Sequence, residues 1–240
     1  MNSQIASAAT SYSNASSKRA LAMTMLGALA LLVTACTVPK RSVVSGAGVP
    51  APTSVDGLAA AIQADSQRSD HETNGAGRAQ LADEARGYAD ACLAQAPQAA
   101  ACLYGQGVAL GLEARAHPTR AGELLKSMLQ SLSNADAIDP NYDQAGPSRV
   151  RALVLIRAPG WPLGPGDADE GLVAARRAVS LRPEYPPNLL ALAEALAKTG
   201  DLNGARETYA KARDAAQALP SSSPGREDWL READQGLQRK

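Results

Sequence analysis

The chain has 240 residues, with 24 basic and 24 acidic side chains, no phenylalanine and an aromatic content of 3%. A chain without net charge lacks the basic surface that nucleic-acid binding requires. Abundant alanine and scarce aromatic residues favour thin, closely packed helices and argue against a large ligand cage lined with aromatic rings.

Residues 1–35 have the pattern of a secretory signal peptide. Lys18 and Arg19 precede an uncharged apolar run, and small residues follow it. The sequence Val-Thr-Ala-Cys at 33–36 resembles a bacterial lipobox, which implies cleavage before Cys36 and a covalent lipid on it. The alternatives are an ordinary signal peptide with a chance cysteine, or an uncleaved anchor. No other cofactor is expected.

The mature chain would begin at Cys36 and carry 22 basic and 24 acidic residues. Thr37 stands where an aspartate usually signals inner-membrane retention in such lipoproteins. The resemblance therefore implies a protein anchored on the periplasmic face of the envelope, at the outer rather than the inner membrane. Residues 36–77 are rich in Ser, Gly, Ala and Pro, and we predict a flexible lipidated tether. Within it, Leu58–Ile62 has some helical character.

Residues 78–240 predict an all-α domain, because apolar residues recur at helical spacing and no β alternation occurs. Helices are expected at about residues 79–96, 98–116, 119–138, 147–157, 169–181 and 227–237, in addition to the hairpin of residues 188–212. Prolines punctuate the chain at spacings of 43, 43 and 37 residues, and each closes one hairpin and opens the next: Pro97, Pro140, Pro183 and Pro220.

The segment Ala158–Asp167 contains three prolines and three glycines, which excludes a helix or strand interior. It carries Trp161. We expect this side chain to fold back and fill the gap between adjacent hairpins; the alternative is an anchor on the rim of a groove.

Residues 188–212 give the clearest pattern in the chain. Leu189, Ala193 and Leu196 share one helical face, Gly200 can end that helix, and Asp201 can cap the next. This hairpin resembles a tetratricopeptide repeat (TPR). The resemblance implies a solenoid of stacked antiparallel hairpins, and we interpret residues 227–237 as its C-terminal capping helix.

The run from Arg149 to Ala197 looks like a family of bacterial TPR lipoproteins, through Ala-Pro-Gly-Trp-Pro-Leu-Gly at 158–164 and Arg-Pro-Glu-Tyr-Pro-Pro-Asn at 182–188. Some members are T components of tripartite ATP-independent periplasmic (TRAP) transporters. The resemblance implies a periplasmic protein that works beside a substrate-binding protein.

The sequence shows no pattern of catalysis or metal binding, and we expect a protein that is not an enzyme. His71 and His117 have no ligand partners at metal-site spacing. Three glycines in a helical stretch imitate a dinucleotide fingerprint, but close helix packing explains them better: Gly105, Gly107 and Gly111.

Cys92 and Cys102 lie five residues on either side of Pro97, the centre of a helix–helix turn, so they would face each other across it. We predict a disulfide, with two buried thiols as the alternative.

The expected function is recognition of a protein or peptide on the concave face of the solenoid. Two alternatives are a carrier of a small hydrophobic ligand and an assembly factor for envelope complexes. The candidate residues for the groove or its rim are Tyr104, Tyr142, Trp161, Tyr185 and Asn188.

Overall fold

The structure is a computed structural model, and it describes residues 52–238. The predicted signal peptide, Cys36 and residues 36–51 of the predicted tether lie outside these residues. The described residues form nine α-helices and no strand: α1 (Val55–His71), α2 (Gly75–Gln95), α3 (Ala100–Ala116), α4 (Ala121–Ile138), α5 (Tyr142–Arg157), α6 (Ala168–Leu181), α7 (Pro186–Lys198), α8 (Leu202–Gln217) and α9 (Arg226–Gln238). None of them is long and apolar enough to span a bilayer.

The helices stack in chain order as four antiparallel hairpins, α1–α2, α3–α4, α5–α6 and α7–α8, with α9 packed on the last. Helices α1, α3, α5, α7 and α9 also contact one another in sequence, and we call them the inner row. The all-α prediction of a TPR-like helical-repeat solenoid with a C-terminal capping helix is confirmed. The domain prediction must be extended, since its first hairpin includes a helix before residue 78.

The α7–α8 hairpin follows its sequence pattern closely. Gly200 takes a φ of 90°, which a glycine adopts without strain, and so reverses the chain. The Asp201 carboxylate accepts a hydrogen bond of 2.9 Å from the backbone N–H of Gly204, and this caps α8. Small buried residues let the two helices approach closely: Ala193, Ala205 and Ala212.

Helix α1 corrects the prediction of a flexible tether, which is wrong for residues 55–71. Ser54 caps the helix by accepting a hydrogen bond from the N–H of Gly57, and Leu58 and Ile62 are buried against α2 and α3. The buried stripe continues with Asp65 and Ser69, which are polar. The apolar periodicity therefore stops after two turns, which is why the sequence shows only a short helical segment.

The buried Asp65 of α1 should make the stability of the protein depend on pH. Its Oδ1 accepts a hydrogen bond from Arg68, while Oδ2 is buried without a hydrogen-bond partner among the described residues. Burial raises the pKa of this carboxyl above 3.8. The penalty for burying it therefore applies only when it is ionised, and the stability of the wild type falls as the pH rises through the folded-state pKa.

We expect Asp65→Asn to unfold at a higher urea concentration than the wild type at pH 7, with a gain that shrinks as the pH falls towards 3.8. Urea titrations at several pH values measure this difference. The matched control is Asp70→Asn, an exposed position on the same helix that pairs with Arg115. If Asp65→Asn is less stable than the wild type at pH 7, the buried Asp65 carboxylate does not destabilise the protein, and the prediction is wrong.

The start of α5 departs from helical geometry. Asp143, Gln144 and Ala145 take φ values of 47°, 56° and 64°, the left-handed region that residues with a side chain rarely adopt. The buried Arg149 guanidinium donates hydrogen bonds to the carbonyls of Asp143 and Gln144 at 3.1 and 3.2 Å. Asn188 of α7 donates to the same Gln144 carbonyl at 3.0 Å. These bonds hold the left-handed run in place between two hairpins.

Candidate functional site

Two pockets lie along the inner row. The first, which we call the apolar groove, has a volume of about 510 Å³ and opens among α1, α3, α4 and α5. This volume is within the range of small-molecule sites. Most of its lining is aliphatic: Val108, Leu112, Leu125, Met128, Val150, Leu153 and Val154.

The groove exists because α3 packs closely on α1 and α4. A Cβ at Gly105 would lie 2.7 Å from Ile62 of α1, and one at Gly107 would lie 3.0 Å from Leu132 of α4. Gly111 faces Met128 of α4 in the same way, at 3.1 Å. The interpretation of these glycines as packing residues is confirmed. Because α3 packs closely on α4, it makes only a narrow contact with α5. The groove lies in the space between α3 and α5.

The lining is open to solvent rather than sealed. Val108, Val150, Leu153 and Val154 are only half-buried. A soluble protein rarely leaves a concave cluster of aliphatic side chains without a use.

Charged side chains stand at one end of the groove. Arg115 of α3 donates to Asp70 of α1 at 2.7 Å, and Arg157 of α5 binds Glu194 of α7 at 2.5 Å. Gln63 and Ser66 of α1 add polar groups along the wall. The groove therefore has an apolar floor. Hydrogen-bonding groups and two arginines, each paired with a carboxylate, lie at its edge.

The second pocket, which we call the polar pocket, lies among α5, α7, α8 and α9 and has a volume of about 430 Å³. Arg157 lines both pockets and marks the boundary between them. Besides Arg157, its lining is almost entirely polar: Glu194, Tyr209, Asp228, Arg231, Glu232 and Gln235. The inner row thus changes from an apolar surface at α3 to a charged one at α9.

Of the predicted groove residues, Tyr104 lies at the groove and Tyr142 packs beside it. Tyr104 lines the groove, but only 3% of its surface is exposed. Its hydroxyl donates to Asp143 Oδ2 at 2.8 Å, and burial raises its pKa. The half-buried Tyr142 packs edge-to-face against Tyr104 with ring centroids 5.3 Å apart. The two rings support the groove wall more than they contact solvent.

Asn188 does not lie on a binding surface, and that prediction is wrong. Its side chain is fully buried, and its amide lies within 3.3 Å of the carbonyls of Gln144, Ala178 and Arg182. An amide placed among three carbonyls joins α5, α6 and α7 and is not free to bind a partner.

Tyr185 is half-buried between two neighbours. Its ring lies edge-to-face on Trp229 of α9 at 5.7 Å, and the Arg149 guanidinium lies 5.3 Å from its centroid. This ring connects the network at the start of α5 to the capping helix. It lines neither of these two pockets but a smaller one of about 330 Å³, together with Gln144 and Arg182.

The expectation that Trp161 fills a gap between hairpins is wrong. Its side chain is 88% exposed, and Leu163 beside it is 78% exposed. The prolines and glycines around it fold into a closed loop of their own, so the indole has no interior space to enter.

A disulfide joins Cys92 of α2 and Cys102 of α3, with Cα atoms 5.3 Å apart. It links the first hairpin to the second. Both residues are fully buried in the cluster that includes Ile62 and Tyr88. The bond therefore belongs to the scaffold and not to either pocket.

Sequence reasoning missed the residues that define the inner row. Arg157 and Glu194 are 37 positions apart and meet only when α5 and α7 stack. Val108 and Leu153 lie within the predicted helices 98–116 and 147–157, and nothing in the local pattern separates them from other apolar helix residues. The glycines of α3 were the available signal, since they indicate which helix approaches its neighbours most closely. Within residues 52–238 no group of three or more potential metal ligands occurs.

The comparison with protein families agrees with this architecture. A family model described as a tetratricopeptide repeat matches residues 163–221, which span α6, α7 and α8. No curated protein matches the chain. TPR units are protein-binding modules, and most proteins built from them are scaffolds rather than enzymes. Over α6–α8, therefore, this chain is similar to a repeat whose general use is to hold protein partners.

Proposed function

We propose that the protein is a scaffold that binds a protein partner along its inner row. The observation that carries this proposal is the apolar groove, a concave and partly exposed aliphatic surface in a TPR-like solenoid. Stacked hairpins present the inner helices together, so a peptide or helix can contact several repeats at once. The polar pocket adds charged groups that fix the partner's position.

Crosslinking from defined positions tests where the partner binds. A photoreactive amino acid is placed at Leu153 in the groove. The control position is Val173, which is 67% exposed on α6, a helix outside the inner row. We expect one protein to crosslink from position 153 and not from position 173. Equal crosslinking from both positions would overturn the proposal.

We further propose that the chain acts in the periplasm, held at the outer membrane by a lipid on Cys36. The support is the lipobox resemblance at residues 33–36 and the threonine that follows. Labelling with radioactive palmitate should mark the wild type and not Cys36→Ser. Label that persists in the variant would overturn this part and leave the scaffold function untouched.

The sequence resemblance to TRAP T components suggests a substrate-binding protein of such a transporter as the partner. The support is the motif run at 158–164 and 182–188 alone. The identity of the protein crosslinked at Leu153 decides this. A partner from an envelope-assembly complex would replace the transporter link.

A second function, carrying a small hydrophobic ligand, is favoured by the aliphatic lining and volume of the groove. An apolar fluorescent dye such as N-phenylnaphthylamine should then bind the wild type. Leu153→Glu should weaken dye binding by about tenfold or more, because a carboxylate in the groove loses its hydration against an apolar ligand. The control is Leu202→Glu, an exposed leucine on α8. Equal dye affinity in both variants would exclude the groove as the site.

A further inference from the structure

The loop between α5 and α6, residues 158–166, holds two large apolar side chains out into solvent. We call it the Trp loop. The backbone N–H groups of Leu163 and Gly164 both donate to the Gly160 carbonyl, at 3.0 and 3.2 Å. Gly166 N–H donates to the Pro159 carbonyl at 2.9 Å and closes the base of the loop. A structured loop, rather than a loose one, therefore presents Trp161 and Leu163.

Glycines make this closure possible. A Cβ at Gly166 would lie 2.1 Å from the carbonyl oxygen of Ala158, and one at Gly164 would lie 2.6 Å from that of Pro159. The loop also rests on the start of α4, where Gly122 approaches the Leu163 carbonyl. The backbone thus packs inward while the two large side chains point away from the protein.

The chemistry of the loop suits a lipid surface. Residues 158–166 contain no charged side chain, and the Trp161 indole N–H is their only side-chain hydrogen-bond donor. A specific protein interface usually surrounds its apolar anchor with polar contacts. The membrane interface requires only an apolar body with one polar group, and tryptophan has this form.

The loop lies at the edge of the solenoid where the inner helices end. Helices α5 and α7 are neighbours in the inner row, so the α7–α8 turn lies beside the Trp loop at this edge. That turn is followed by Leu202, whose side chain is 56% exposed. Three of the five large apolar residues found exposed in the described part of the chain therefore lie at this edge: Trp161, Leu163 and Leu202.

We propose that the Trp loop inserts Trp161 and Leu163 into the interfacial region of a phospholipid bilayer. Insertion would fix the edge of the solenoid against the membrane and so orient the inner row. Both signs of charge occur near the loop: Asp167 follows it directly in the chain, and Arg120 lies two residues before Gly122, which approaches the Leu163 carbonyl. We therefore expect insertion to depend on apolar burial and to change little with salt. The inference does not depend on the identity of the scaffold's partner.

Tryptophan fluorescence in proteoliposomes tests the proposal. The full chain is reconstituted into vesicles of phosphatidylethanolamine and phosphatidylglycerol, with Trp229→Phe so that Trp161 is the only tryptophan. Substituting lipids brominated on the acyl chain should quench Trp161 emission. The matched control carries its only tryptophan at position 173, through Val173→Trp with both native tryptophans changed to phenylalanine. This control is held to the vesicle in the same way as the test protein, so the comparison reports the position of the tryptophan.

We expect brominated lipid to quench Trp161 about twofold or more relative to the control, at both low and high salt. Leu163→Ser should reduce this quenching, because it removes the second inserted side chain. Equal quenching at positions 161 and 173, or none at either, would overturn the proposal. Quenching lost at high salt would show adsorption by charge, which also contradicts insertion. Trp161 shielded from acrylamide but not quenched by bromine would indicate a protein contact instead.

Discussion

Asn188→Ala is expected to lower the free energy of unfolding by about 3–4 kcal/mol, because it removes several buried hydrogen bonds at once. The wild-type amide serves the carbonyls of Gln144, Ala178 and Arg182 and accepts from Arg149 at 3.2 Å. Truncation removes one hydrogen bond from each of these groups, although each of them keeps another partner. It also removes one of the bonds that hold the left-handed run at the start of α5, leaving Arg149 as the remaining side-chain donor to the carbonyls of that run.

Urea unfolding of the purified variant measures this loss, with Asn203→Ala on the exposed side of α8 as the control. The control should change the stability by less than about 0.5 kcal/mol. A cycle with Arg149→Ala adds a sharper criterion. Because Arg149 and Asn188 both bond the Gln144 carbonyl, the two losses should not add. If the two losses add, Arg149 and Asn188 stabilise the protein independently and do not act as one network.

Reduction of the disulfide between Cys92 and Cys102 is expected to lower the stability by about 2–4 kcal/mol, as for other short covalent loops. The bond closes a loop with a sequence separation of 10 residues and is buried in the first core cluster. Removing it restores entropy to the unfolded chain.

The measurement compares unfolding with and without reductant. In Cys92→Ala/Cys102→Ala, which has no bond to lose, the reductant should change nothing. Thiol titration of the unfolded wild type, without reductant, should find no reactive sulfur from these two residues. Two free thiols there would contradict the disulfide and leave the pair as core packing.

Local patterns in the sequence predicted the C-terminal hairpins well, for a physical reason. In α7 and α8 most of the buried face is made of Leu, Ala and Tyr at regular spacing, and Gly200 and Asp201 mark the turn. Such signals depend on neighbours a few positions away, and a single chain displays them directly.

Features that depend on distant partners could not be predicted in the same way. Asn188 looks like a polar residue at a helix start, and only the stacking of α5, α6 and α7 turns it into a buried connector. Helix α1 was missed because Asp65 and Ser69 occupy its buried stripe. The left-handed run was missed because Asp143, Gln144 and Ala145 include no glycine, the residue that normally indicates this conformation.

The order of the two pockets gives the inner row a polarity. An aliphatic surface lies towards α3 and a charged one towards α9, with Arg157 between them. A segment bound in one orientation can bury its apolar residues near Leu153 and present its charges to Glu194 and Arg231. The reversed segment would bring those charges against aliphatic side chains without compensation. If a partner binds along the inner row as proposed, the solenoid would therefore favour one direction of the bound chain over the other.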